Sequence, residues 1–245
     1  MGTPVTIEIV DKEATEELLE EVFAYFRYVD EKFSIYKETS EITAINRGVI
    51  AKEKYSEDMK TVFDLSEETK RITNGYFDII TPEGYCDPSG LVKGWSIYNA
   101  AQILKKHNIN NFYVEAGGDI QACGHNRDGK PWVIGIQNPF NKKREIVKAL
   151  HLTDKGVATS GSYVRGQHIY NPVDKKTMTE DIVSLTVIGS NIHDADRFAT
   201  AAFAMGNKGI HFIENLSGFE GYSIDLKGVA TMTTGFNTYT EKTYA

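Results

Sequence analysis

The hydrophobic positions of this chain follow two different periods in turn. Residues 5–10 alternate apolar and polar side chains, which predicts a half-buried strand. From residue 11 to about residue 36, apolar residues recur at three- and four-residue steps, a pattern typical of an amphipathic helix. A short helix capped by Thr39 or Ser40 is predicted to follow and to end near Gly48. Further helices are predicted over 56–73, 91–107, 193–206 and 209–215.

Apolar and β-branched runs between turn residues predict the remaining strands. They lie at 111–116, 120–124, 132–136, 146–152, 156–160, 182–188, 221–225 and 228–234. Three of them, 132–136, 146–152 and 156–160, are predicted to continue an antiparallel meander. Because runs of helices alternate irregularly with hairpins, the predicted class is α+β rather than doubly wound. We expect mixed, largely antiparallel sheets with flanking helices.

Composition limits the classes of function. With 245 residues, 41% of them hydrophobic and 25% charged, the chain suits a globular protein with a sizeable core. We expect one domain over residues 1–245, or two packed lobes within it. The formal net charge is −7 and no basic stripe occurs, so nucleic acid is not an expected partner. Cys86 and Cys123 give neither a disulfide framework nor the paired spacing of a metal site.

The sequence also bears on location. No stretch is long and apolar enough to span a bilayer, and the first residues lack the charged start and apolar run of a signal peptide. We therefore expect a cytoplasmic protein. An exported protein whose leader has been removed is the alternative.

The predicted helix over 193–206 carries the first candidate site. Asp196 and Thr200 stand four residues apart, so their side-chain oxygens share one face of the helix. A carboxylate and a hydroxyl together offer hard oxygen ligands that suit Mg²⁺. Two structural explanations compete with this one: Asp196 favours the helix N-terminus, and Thr200 bonds back to a carbonyl of its own helix. On this stretch alone the structural explanations are favoured.

Two other stretches carry candidate chemistry. The helix that follows Asp87-Pro88-Ser89-Gly90 directs its first amides at that loop, which predicts a cradle for an anionic group with Lys93 one turn in. His168 lies in an aromatic segment and reads either as a structural histidine or as a general base. The loops at 76–78, 115–119 and 159–162 combine glycine with polar residues, but each alone is a weak signal. Between two strands, Gly117-Gly118-Asp119 is most often a hairpin turn.

Taken in order, these segments resemble the ApbE family of flavin transferases, the FAD:protein FMN transferases, almost from end to end. The segments that carry the resemblance are 1–3, 34–46, 75–78 (Gly-Tyr-Phe-Asp), 87–94, 116–120 (Ala-Gly-Gly-Asp-Ile), 168–172 (His-Ile-Tyr-Asn-Pro) and 196–201 (Asp-Arg-Phe-Ala-Thr-Ala). The six motif matches that follow the start at 1–3 occur in order and at compatible spacing, and together they are far more specific than any single one.

The resemblance implies a T-fold-related architecture, an FAD site and a divalent metal. Mg²⁺ would be coordinated by the side chains of Asp196 and Thr200 and by the backbone carbonyl of Gly90. FAD would contact a larger set of residues, namely Met1, Tyr36, Tyr76, Phe77, Asp78, Asp87, Lys93 and Ile169.

The family reaction would move the FMN half of FAD onto a threonine or serine hydroxyl of a target protein and release AMP. Positioning and charge neutralisation would do most of the work in such an in-line displacement at phosphorus. His168 is the first choice for the base that takes the hydroxyl proton. Asp87 is the second choice, and a positioning role suits it better.

Some positions depart from the family pattern. Pro88 stands where leucine is usual and Asn171 where aspartate is usual, and the segment between Asp78 and Asp87 is short. None of these departures touches the proposed metal ligands. Two alternatives remain open: an FAD pyrophosphatase that gives FMN and AMP, and a non-catalytic FAD-binding protein.

Overall fold

The computed structural model describes residues 2–141, 145–161, 170–174, 176–177 and 181–240. The strands in these residues are β1 Val5–Ile9, β2 Phe112–Ala116, β3 Asp119–Cys123, β4 Trp132–Gln137, β5 Ile146–Leu152, β6 Lys155–Gly161, β7 Tyr170–Asn171, β8 Lys176–Thr177, β9 Ile182–Gly189, β10 Glu220–Asp225 and β11 Ala230–Met232. Seven of them form one sheet of order β1-β2-β3-β6-β9-β10-β11, in which every neighbouring pair is antiparallel. Two further pairs, β4–β5 and β7–β8, are separate.

The predicted helices are all present, with bounds shifted by a few residues. They are α1 Glu16–Phe33, α2 Glu41–Asn46, α3 Glu57–Ile72, α4 Ser89–Lys106, α5 Ile192–Ala204 and α6 Gly209–Glu214, with 3₁₀ turns at Lys52–Lys54, Gly206–Lys208 and Phe236–Tyr239. Capping sets several starts, because the side chains of Thr15, Ser40, Ser56 and Asn191 each accept a hydrogen bond from the amide three residues on. Among the described residues, the helices are all too short or too polar to cross a membrane.

The large sheet is covered on both faces. Helices α1, α4 and α5 pack on one face, against apolar residues such as Val114, Leu185 and Val187. The β4–β5 pair packs on the other, where Trp132 and Leu150 meet residues of β6, β9 and β10. Strand β9 is consequently buried along its whole length.

A second apolar cluster extends the helical layer beyond the sheet. It joins the C-terminal end of α1, together with α2 and α3, to the first turns of α4. It also includes Ala201 of α5 and Phe77, which lies in the chain between α3 and α4. Helices α1, α4 and α5 contribute to both helical clusters, so one set of elements links them. The interpretation as one domain with two packed lobes stays a prediction.

The predicted meander is wrong in one respect. Strands β4 and β5 pair with each other, but β6 leaves them and lies between β3 and β9 in the large sheet. Burial explains the difference, because β6 has apolar residues on both faces: Ala158 lies under the helices and Val157 under the β4–β5 pair. Gly156 is also pressed against α5, where a Cβ would come within 2.1 Å of the Ile192 nitrogen. The last strand is shorter than predicted, and β7 and β8 were not predicted.

Candidate functional site

Helices α4 and α5 touch at a glycine. A Cβ at Gly94 would lie 2.6 Å from the Cβ of Asp196 and 2.8 Å from the carbonyl oxygen of Ile192, so no other residue fits there without moving a helix. The Gly94 amide donates a hydrogen bond of 2.7 Å to Asp196 Oδ2. Close backbone approach therefore brings the Asp196 carboxylate directly against α4.

The rotation of α5 is fixed by polar contacts at its start. Gln121 Oε1, on β3, accepts from the Ile192 amide at 2.8 Å. On the side toward α3, the buried Arg197 guanidinium donates to Asp194 Oδ1 at 2.7–2.8 Å and to Thr69 Oγ1 at 3.0 Å. These contacts hold Arg197 toward α3, and they leave the face of α5 that carries Asp196 turned toward α4.

Asp196 belongs to a buried charged cluster with Lys93 and Asp119. The side chains of Asp196 and Asp119 are 4% and 1% exposed, so water reaches neither carboxylate. Lys93 Nζ lies 2.5 Å from Asp119 Oδ2 and 3.7 Å from Asp196 Oδ1. Two carboxylates thus share one ammonium, and with both ionised the cluster keeps one uncompensated negative charge.

Burial raises the pKa of Asp196 above its ordinary value, since removal from water disfavours the charged form. The Lys93 ammonium and the Gly94 amide oppose this rise, whereas the Asp119 carboxylate adds to it. A buried site with surplus negative charge favours a cation as a further partner.

Thr200 completes a set of hard oxygen ligands. Its hydroxyl donates to the carbonyl of Gly90 in α4, at 3.4 Å, rather than to a carbonyl of its own helix. A Cβ at Gly90 would lie 3.1 Å from Thr200 Cγ2, so glycine permits this approach as well. The structure thus gathers a carboxylate, a hydroxyl and a backbone carbonyl at one helix crossing, and this donor set fits Mg²⁺. Within the described residues no group of three or more His, Cys, Asp or Glu side chains offers another metal site.

The expected anion cradle at the start of α4 is wrong as stated, because protein groups already engage most of its amides. Asp87 Oδ1 accepts from the Ser89 amide at 3.0 Å, and the Pro88 carbonyl accepts from the two amides of residues 91 and 92. The Gly94 amide is taken by Asp196. The positive charge in this region therefore comes chiefly from Lys93.

Three more of the predicted FAD contacts, residues 76–78, are consecutive in the segment between α3 and α4. Phe77 is buried beside Gly90, since its ring lies 3.4 Å from the position of a Gly90 Cβ. Tyr76, next to it, is half-buried. Asp78 pairs with Lys70 at 2.7 Å and accepts from the Ile80 amide.

Four more predicted residues remain, of which the structure describes one. Tyr36 lies in the chain between α1 and α2 and is 90% exposed. Met1, His168 and Ile169 lie outside the described residues, so their roles stay predictions.

Comparison with known proteins decides the family. The model of the ApbE family matches residues 1–83 and 80–223. The chain belongs to the ApbE family. The resemblance seen in the sequence motifs is thereby confirmed.

Two curated relatives of this ApbE chain carry the name FAD:protein FMN transferase. The one from Vibrio cholerae is 36% identical over 135 residues, which are 52% of this chain and 40% of that protein. The one from Haemophilus influenzae is 34% identical over 134 residues, 51% of this chain and 39% of that protein. The matched segment thus spans less than half the length of these relatives.

Solved structures share the fold over nearly the whole ApbE chain. The flavin transferase ApbE from Vibrio cholerae has a TM-score of 0.85 at 24% identity and covers 98% of this chain and 96% of its own. The ApbE protein from Thermotoga maritima has a TM-score of 0.86 at 22% identity, with 98% and 97% covered. The predicted α+β class, with helices flanking largely antiparallel sheets, is confirmed.

One residue of the site was quoted in the sequence motifs but not assigned to the site. Asp119 was interpreted only as part of a hairpin turn, and the turn is real: Gly117 and Gly118 have φ of 62° and 92°, the conformation that tight hairpins require. The first residue after that turn, however, sends its side chain to Lys93 in α4. A signal was available, because strand alternation places Asp119 on the same face as Gln121, which contacts α5.

Proposed function

We propose that this ApbE-family chain transfers the FMN moiety of FAD to a threonine or serine hydroxyl of a target protein and releases AMP. The observation that carries the proposal is the buried Lys93–Asp119–Asp196 cluster beside the oxygens of Thr200 and Gly90. Names of the relatives support the substrate, since they are FAD:protein FMN transferases. A protein that only stores FAD has no need of a buried anionic cluster that favours a cation.

The proposed reaction is an in-line displacement at the phosphorus of the FMN half. A bond forms between the acceptor hydroxyl oxygen and that phosphorus, and the phosphoanhydride bond to AMP breaks. The hydroxyl proton goes to a base, and AMP leaves with the bridging oxygen. No oxidant or reductant is needed, so the flavin serves only as cargo.

Asp196, Thr200 and the Gly90 carbonyl are the residues that would hold Mg²⁺. When bound there, Mg²⁺ would neutralise phosphate charge and stabilise the departing AMP. Lys93 adds a positive charge 3.7 Å from Asp196 and thus next to the proposed phosphate position. The close crossing at Gly94 keeps the backbone that carries Lys93 in fixed register with Asp196, which favours positioning as the source of rate.

The flavin and the base are assigned from the family motifs. Tyr36 offers an exposed ring for stacking on the isoalloxazine, together with Met1. His168 remains the proposed base. Asp87 suits positioning better than proton transfer, because its carboxylate already accepts from the Ser89 amide. We keep the cytoplasm as the proposed compartment, with export as the alternative.

The proposal is tested by incubating the protein with FAD, Mg²⁺ and a set of threonine- and serine-containing peptides. We expect AMP to form in equal amount to peptide-bound flavin, measured by chromatography and by flavin fluorescence in a denaturing gel. Without Mg²⁺, in EDTA, both products should be lost.

The other outcomes separate the alternatives. AMP together with free FMN, and no labelled peptide, would replace transfer by FAD hydrolysis. Bound FAD without any AMP would leave a flavin-binding protein and contradict catalysis.

A further inference from the structure

Asp119 is a buried carboxylate for which strand pairing alone gives no reason. It begins β3, its residue is 1% exposed, and it opposes Ala116 across the hairpin. Its side chain reaches α4, 26 positions earlier in the chain, and meets Lys93 there. A charge buried at this depth is expensive unless it is paired, so its retention in the core needs a specific reason.

The Asp119 carboxylate is fixed by both of its oxygens. Oδ1 accepts from the Thr159 amide of β6 at 3.0 Å, and Oδ2 lies 2.5 Å from Lys93 Nζ. Because a backbone amide of the central sheet holds one oxygen, the carboxylate cannot follow Lys93 if the lysine moves. Asp119 is therefore a fixed anchor, and Lys93 is the movable partner on a flexible stem.

The position of Lys93 is asymmetric between the two carboxylates. Its ammonium is 2.5 Å from Asp119 but 3.7 Å from Asp196 Oδ1. The other oxygen of Asp196, Oδ2, is already occupied by the Gly94 amide at 2.7 Å. Oδ1 is thus the oxygen of Asp196 that a cation would use, and Lys93 is the positively charged group that competes for it. The Asp119 carboxylate also contacts the Asp196 side chain directly.

We infer that Asp119 is a positioning residue that holds the Lys93 ammonium back from Asp196 and so leaves Asp196 Oδ1 available to a divalent cation. The inference rests on the proposed Mg²⁺ site and adds to it a residue that acts through Lys93. If Asp119 loses its charge, the attraction that keeps the Lys93 ammonium at Asp119 is lost, and the ammonium moves onto its other carboxylate neighbour, Asp196 Oδ1, to form a full ion pair there. The ammonium and the metal then compete for one oxygen, and metal affinity falls.

The same substitution also removes one negative charge near the metal, so the test has to separate the two effects. A double-mutant cycle does so. In Asp119→Asn the side-chain carbonyl can still accept from the Thr159 amide, and the sheet contact is kept. In Lys93→Met the competing ammonium is absent. An effect that passes through Lys93 disappears in the Lys93→Met background, whereas a direct charge effect or a structural effect persists there.

The experiment titrates Mn²⁺ into metal-free protein and follows free Mn²⁺ by electron paramagnetic resonance, without FAD. Asp119→Asn is expected to weaken Mn²⁺ binding by about tenfold, the lower range for residues that orient metal ligands. In the Lys93→Met background the same substitution should weaken Mn²⁺ binding by less than about threefold. Asp119→Glu keeps a carboxylate for Lys93, so its Mn²⁺ affinity should stay within about threefold of that of the unaltered protein. This variant is the one to measure if Asp119→Asn does not fold.

Three results would overturn the role of Asp119. These are an unchanged affinity in Asp119→Asn, an equal loss in both backgrounds, and a full loss in Asp119→Glu. Absence of Mn²⁺ binding in the unaltered protein would remove the metal site itself. The titration involves no turnover, so bound Mn²⁺ without AMP release from FAD would contradict the proposed function and leave this inference standing.

Discussion

Asp196→Asn is expected to lower Mg²⁺-dependent release of AMP from FAD by about a thousandfold. The amide keeps an oxygen that can accept from Gly94, so the contact between α4 and α5 is preserved. What is lost is the negative charge that would hold the metal, and metal stabilisation of phosphoryl charge is worth several kcal/mol, about three factors of ten in rate. AMP formation measured by chromatography over a range of Mg²⁺ concentrations gives the result.

Asp194→Asn is the matched control for that prediction. It lies in the same helix, but its carboxylate binds Arg197 and not α4. We expect it to reduce the stability of the protein while turnover of the folded fraction stays within about twofold, as for a site outside the transition-state contacts. Equal activity of Asp196→Asn and the unaltered protein would contradict the metal assignment.

Lys93→Met is expected to lower the free energy of unfolding of the metal-free protein by about 3 kcal/mol at neutral pH. The reason is that two carboxylates, 4% and 1% exposed, would lose the only ammonium that the described residues place between them. Added Mg²⁺ should restore part of the loss, because a cation at Asp196 supplies the missing positive charge. Urea unfolding with EDTA and with Mg²⁺, followed by circular dichroism, measures both effects.

The pH dependence of this variant has a definite sign. The pKa of Asp196 is raised in the folded protein above the ordinary value of 3.8, and Lys93 is a group that opposes the rise. Between pH 3.8 and the raised pKa of Asp196, the folded state therefore binds more protons than the unfolded chain, and the free energy of unfolding increases as the pH falls through that range. We expect the cost of Lys93→Met to shrink in mild acid.

Lys70→Met is the surface control for Lys93→Met. Lys70 pairs with Asp78 at 2.7 Å, but its side chain is 42% exposed, and such pairs contribute at most about 1 kcal/mol. If Lys93→Met and Lys70→Met lower the free energy of unfolding equally, the prediction for the buried Lys93–Asp119–Asp196 cluster is wrong.

Periodicity predicted much of the fold for a physical reason. Helix and strand spacing record which side chains face the core, so α3 and α5 could be placed within a residue or two, and the four-residue step from Asp196 to Thr200 correctly put both oxygens on one face. Capping also depends on chain neighbours, as for Ser40, one of the two residues predicted to cap α2 and the one that does so. These features depend on neighbours in the chain.

The features that could not be predicted depend on contacts between distant segments. Strand alternation shows which face of the sheet Asp119 lies on but not that it will meet Lys93, because that contact arises only when the β2–β3 hairpin packs beneath α4. Likewise, the place of β6 between β3 and β9 depends on Gly156 accepting the backbone of α5. The anion cradle at α4 failed for a local reason instead, since Asp87 takes the Ser89 amide and the Pro88 carbonyl takes the amides of residues 91 and 92.

We propose that the crossing of α4 and α5 holds the metal against the phosphates of FAD. Anomalous diffraction from a crystal of the unaltered protein, grown with FAD and Mn²⁺, is the direct test. We expect one strong Mn²⁺ peak bonded to Asp196, Thr200 Oγ1 and the Gly90 carbonyl, with flavin nucleotide phosphate beside it. A peak bonded to other residues, or FAD phosphates bound away from this crossing, would contradict it.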